Sequence, residues 1–96
     1  MSKMLWHLQY TYGPDHDNTS GAYLSAHLAH LHNYESRGLV LGGANLEPTD
    51  SASLFFEGNE ATVEEFVRAD PYFTAGLVKA HVVRSYIAVN GTFLHH

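Results

Sequence analysis

The sequence predicts an α+β fold: a ferredoxin-like βαββαβ chain with two helices on one face of a four-stranded antiparallel sheet. Three observations carry this. A period-two, aromatic-rich run covers 4–12, and two helical patterns follow at about 20–37 and 61–69. A long β-rich run then occupies 77–89. The 96 residues make one domain, expected over 1–94, with His95 and His96 set aside as a candidate tag remnant.

The first strand alternates Met4, Trp6, Leu8, Tyr10 and Tyr12 against Leu5, His7, Gln9 and Thr11. Gly13-Pro14-Asp15 ends it, and 16–20 reads as a polar loop containing His16. Thr19 or Ser20 is placed to cap a helix that Gly38 stops. Leu24, Leu28, Leu31 and Glu35 form its stripe, with His27 and Tyr34 on the flank. Residues 39–44 then form a buried strand in which Gly42-Gly43 suggests a bulge. A turn at 47–51 leads to an antiparallel strand at 52–57. In the second helix Val63, Phe66 and Val67 face inward. Asp70 precedes Pro71, which pushes it out of the helical region and fixes it at the helix end. Both faces of the sheet carry apolar residues, so a second copy packing sheet to sheet would hide the uncovered one.

Composition excludes several function classes. The net charge is −5, and the five Lys and Arg residues are scattered, so no nucleic-acid or anionic-membrane partner is expected. Without cysteine there is no disulfide, thiolate nucleophile or Cys-based zinc site. No apolar h-region or run of about 20 apolar residues is visible, and a cytoplasmic location is expected.

Two residues carry the candidate chemistry. His27 can give and take protons near neutrality, whereas a half-buried helix histidine can equally be satisfied by a backbone carbonyl. Asp70 can be a turn former, or it can hold a ring N–H and fix the imidazole tautomer. The fold sets both helices side by side, which favours a His27–Asp70 dyad. Gly43 would leave room for a ligand beside His27, and Tyr10 and Tyr72 could turn hydroxyls toward it. His27 and His30 are one turn apart, but a zinc ion would need His16, His81 or Asp70 as well. No metal and no cofactor are expected, and His30 and His32 read as solvated. No Gly-x-Ser-x-Gly elbow or phosphate loop is present.

The pattern Ala26-His27-Leu28-(x)₂-Leu31, Gly38-Leu39-(x)₂-Gly42-Gly43 and Asp70-Pro71-Tyr72-(x)₂-Ala75-Gly76-Leu77 resembles the YCII-related (YciI-like) domain family across nearly the whole chain. The resemblance implies a dimeric α+β barrel, hence a homodimer, and a histidine–aspartate site that maps onto His27 and Asp70. The family includes a dehydrochlorinase of a chlorinated hydroxyquinol, which implies lyase or isomerase chemistry on a small organic molecule. The chain departs from the family pattern at Leu24, where many members carry Arg, and at Gly42-Gly43, where many carry Gly-Pro. Arg84, in the last strand, would be the replacement anion-binding group if it points into the cavity. Two functions follow: an enzyme moving a proton through His27 and Asp70, or an accessory protein that binds a small ligand without turning it over.

Overall fold

The computed structural model describes residues 2–95, and His96 of the candidate tag pair lies outside them. A single sheet in the order β2-β3-β1-β4 is built from β1 (Lys3–Tyr12), β2 (Leu39–Ala44), β3 (Ser51–Phe56) and β4 (Val78–Ala88). All pairings are antiparallel, with Leu8 opposite Leu54 and Val83, and Tyr10 opposite Ala52 and His81. This is the predicted ferredoxin-like α+β arrangement. The helices are α1 (His16–Thr19), α2 (Leu24–Tyr34), α3 (Glu60–Ala69) and α4 (Pro71–Thr74).

The period-two alternation of β1 settles which face is which. Leu8, Tyr10 and Tyr12 are buried under the helices, whereas Gln9 and Thr11 are exposed on the other face. The main core joins them to Leu54 and Phe56 of β3 and to Val63, Phe66 and Val67 of α3. Full burial of each such apolar side chain contributes about 1.5–3 kcal/mol. The Asn59 side chain caps α3 by accepting from the Thr62 backbone N–H at 3.1 Å.

The region predicted as a loop and one long helix is more broken than its pattern suggests. Residues 16–19 form the short α1, Ser20–Ala22 a 3₁₀ turn, and Glu35–Arg37 another after α2. Neither Thr19 nor Ser20 caps α2. The Thr19 hydroxyl turns back to the Asp15 carbonyl at 2.7 Å, and α2 starts after Tyr23 without a side-chain cap. Gly38 does end the region, at φ +116°. A Cβ there would run into the Glu57 carbonyl, so only glycine fits. The leucine stripe is also corrected. Leu24 and Leu28 are 46% and 52% exposed, while His27 and Tyr34, two turns apart, are buried. In β2 the register irregularity falls between Leu39 and Leu41, upstream of the predicted Gly42-Gly43 bulge.

Candidate functional site

Proline at 71 makes Asp70 the junction of two helices. It follows the last turn of α3 in extended conformation (φ −69°, ψ 124°) and is the N-cap of α4. Its side chain is fully buried and accepts three hydrogen bonds. The Tyr72 backbone N–H donates to Oδ1 at 3.0 Å, the His27 ring Nδ1 to Oδ1 at 2.7 Å, and the Tyr10 hydroxyl to Oδ2 at 2.8 Å. The turn-forming and imidazole-holding readings of Asp70 are therefore one arrangement. A buried carboxyl is tolerated only with such satisfaction.

With Nδ1–H donating to Asp70, a neutral His27 ring has its lone pair on Nε2. The ring stacks on Tyr72 with centroids 3.8 Å apart and planes 5° from parallel. It lines a cavity of about 250 Å³ between α2 and the sheet, whose walls include His16, Leu24, Leu28 and Gly42. The exposed leucines of α2 thus face this hollow, not the core. A dry engineered cavity of about 150 Å³ holds benzene, so there is room here for a small substituted ring. Burial, followed by the neighbouring Tyr72 and Asp70 charges, pushes the Tyr12 hydroxyl up to about 12. Burial and then Asp70 push Tyr10 far above the usual phenol range, and Tyr72 also upward. All three phenols stay protonated at neutral pH, and no Lys or Arg lines the cavity.

The remaining expected site residues divide. Tyr72 forms a wall of the cavity with His27. Tyr10 is 1% exposed and its hydroxyl is consumed by Asp70, so it positions the carboxyl and does not offer a hydroxyl to a ligand. Gly43 lines the hollow through its backbone. It pairs with Ser53 on the sheet's outer face, so the missing side chain that faces the helices is that of Gly42, opposite Leu54. Arg84 is a correction. It pairs with His7, and its guanidinium lies 3.5 Å from Gln9 Oε1 on the outer face. It therefore cannot replace the missing arginine within this cavity, because strand alternation sends every second side chain through the sheet.

The other histidines do not join the dyad as a ligand set. His30 is not solvated: its ring donates to the Phe66 carbonyl at 2.8 Å and stacks on Phe66. His81 sits 3.7 Å from Glu64, and exposed His32 3.4 Å from Glu35. One residue absent from the expected set belongs here. His16 is 6% exposed, lies flat on Tyr12 at 3.7 Å and meets the edge of Tyr72 at 5.4 Å. Its only sequence signal was a histidine directly after the Gly13-Pro14-Asp15 turn, in a stretch read as a loop.

The larger hollow, about 360 Å³, is on the outer face of the sheet among Leu5, Leu41, Phe55 and Tyr86. It contains no group suited to proton transfer near neutrality, so the chemistry assigns the smaller cavity as the candidate site.

No protein-family model matches the chain, and no curated protein matches it. Among solved structures it is similar to 5-chloro-2-hydroxyhydroquinone dehydrochlorinase (TftG) from Burkholderia phenoliruptrix AC1100, solved in complex with 2,5-dihydroxybenzoquinone. The identity is 24% over 83% of this chain and 90% of that one, with a TM-score of 0.72. A conserved protein from Methanosarcina mazei Go1 is similar at 13% identity, over 90% of this chain and 91% of that one, with a TM-score of 0.48. The first likeness shows a shared α+β fold. No helix among the described residues is long and apolar enough to cross a membrane.

Proposed function

We propose that the protein is a cofactor-independent enzyme that moves a proton on a small hydroxylated ring, in lyase or isomerase chemistry, with His27 Nε2 as base and Asp70 as its positioning partner. The observation that carries this is the 2.7 Å bond from His27 Nδ1 to a fully buried Asp70, which leaves the other ring nitrogen for a molecule in the cavity. Tyr10 and the Tyr72 N–H hold Asp70 still, so His27 is fixed before any substrate arrives. Tyr72 and the α2 leucines would clasp an apolar ring. With no cation in the lining, an uncharged hydroxylated ring suits the site better than a carboxylate, which would be desolvated without a counter-charge.

Dehydrochlorination of a chlorinated hydroxyquinol, the activity named for the structural neighbour, is the first reaction to test. The YCII-like motif around His27 and Asp70-Pro71-Tyr72 supports the same assignment. Chloride release from 5-chloro-2-hydroxyhydroquinone would be followed for the native chain, His27→Asn and Asp70→Asn. We expect turnover by the native chain and a loss on the order of 10²–10⁴-fold in His27→Asn. Equal rates for the native chain and His27→Asn would remove the base from the mechanism. Tight binding with no turnover in any variant would favour the ligand-binding accessory protein, a reading supported by Leu24 at the position of the family's arginine.

The same proposal includes a homodimer through the outer sheet face, where Leu41, Val82 and Tyr86 are 63%, 50% and 44% exposed. A second copy would cover that surface and the hollow within it.

A further inference from the structure

We propose that His16 is the second polar contact of this site, a neutral imidazole donating its Nε2–H to the same substrate oxygen whose proton His27 takes. The inference rests on the site reading above and adds to it the electrophilic partner that a lone base lacks.

The argument starts from an unsatisfied atom. His16 Nδ1 is sealed from water and has no hydrogen-bond partner. A proton placed there would be a buried donor with nothing to accept it. A doubly protonated ring would bury a charge in the same spot at still greater cost. The arrangement with least penalty is a neutral ring protonated on Nε2 alone. Burial holds the ring's basicity below the ordinary histidine range, and nearby His27 acts in the same direction against the opposing Asp17.

Because the ring nevertheless lines the cavity, Nε2 is the polar atom it has left to present to a ligand. The stack on Tyr12, with planes 2° apart, fixes its direction. Tyr72 touches both imidazoles, face to face with His27 and edge-on to His16. The two rings therefore enter one hollow in opposite roles, for reasons local to each. His27 donates its Nδ1–H to Asp70 and so keeps a lone pair on Nε2 in the neutral ring, whereas the partnerless Nδ1 of His16 leaves the N–H on Nε2. When a phenol or enol O–H gives its proton to His27 Nε2, negative charge remains on the oxygen. His16 Nε2–H then stabilises that charge while keeping its own proton, the use of a neutral imidazole as electrophile. The ligand chemistry implied is a molecule with one weakly acidic hydroxyl at the point where both rings reach it.

The first test needs no ligand. Long-range proton–nitrogen correlation spectra at pH 7 should show His27 protonated on Nδ1 and His16 neutral and protonated on Nε2. A proton on His16 Nδ1, alone or in addition, would overturn the inference. The second test uses 4-nitrophenol, whose ionisation is read from its absorption. We expect the native chain to bind it as phenolate. His16→Phe, which keeps the stack on Tyr12, should weaken that binding about tenfold or more, and His16→Gln, which returns an N–H near the same place, should restore most of it. Binding unchanged in His16→Phe but lost in His27→Asn would refute the role of His16 alone. Binding unchanged in His27→Asn would refute the shared site itself.

Discussion

Asp70 shows how much one side chain holds in place. Replacing it with Ala strands a tyrosine hydroxyl, an imidazole N–H and a backbone N–H in a fully buried pocket. We expect Asp70→Ala to cost about 3–5 kcal/mol in urea denaturation. Tyr10→Phe removes only one donor to the carboxyl and should cost about 1.5–3 kcal/mol. His16 supplies a pH signature. Burial lowers its folded-state basicity below the ordinary value of 6.5, so the unfolded chain binds the proton more readily. Its contribution to stability is complete above pH 6.5 and is lost as pH falls from there toward the folded value. Thermal melts between pH 7.5 and 5 should show His16→Phe losing less stability than the native chain. A parallel loss in both would show that this ring does not contribute. That His27 and Asp70 are candidates to meet was legible in the sequence because they are ordinary residues at telling positions, one mid-helix and one before proline. His16 was not, because nothing in a polar stretch announces that its ring will lie flat on Tyr12.

At the scale of elements, strand alternation proved the most readable signal. The two faces of β1 and the inward face of α3 follow directly from period two and period 3.6. The same alternation, applied to β4, would have sent Arg84 away from the cavity. It pairs with His7, on the face opposite Leu8 and Tyr10. Helix α2 misled for a physical reason. Leu24 and Leu28 line a ligand-sized hollow and stay exposed, Leu31 is only partly buried, and the buried positions are taken by His27 and Tyr34. Apolar spacing reports where water is unwelcome, and a binding cavity satisfies that as well as a core does. Where α2 leaves its last turn, Gly38 is the least replaceable residue. Its φ of +116° and the Glu57 carbonyl against its missing Cβ mean that Gly38→Ala should destabilise by about 1–3 kcal/mol from backbone strain, with the clash added. Guanidinium denaturation would measure it, and an unchanged midpoint would contradict the geometry.

For the whole molecule, the sheet separates two surfaces of different chemistry. The helix side holds the hydrogen-bonded His27–Asp70 pair and the cavity beside it, and the outer side presents His7 stacked on Phe55 at 4.5 Å beside exposed Val82 and Tyr86. Placing charge at the centre of that outer face, as in Val82→Lys, should shift sedimentation from dimer to monomer while leaving the fold intact by circular dichroism. A native chain that sediments as a monomer at tens of micromolar would remove the dimer from the account without touching the site. The site depends on one spatial arrangement, and a crystal structure grown with 4-nitrophenol tests it most directly. The account predicts the phenol oxygen within about 2.6–3.2 Å of His27 Nε2, with Nδ1 still bonded to Asp70. A probe seated only on the outer face, or a His27 ring swung away from Asp70 into solvent, would contradict it.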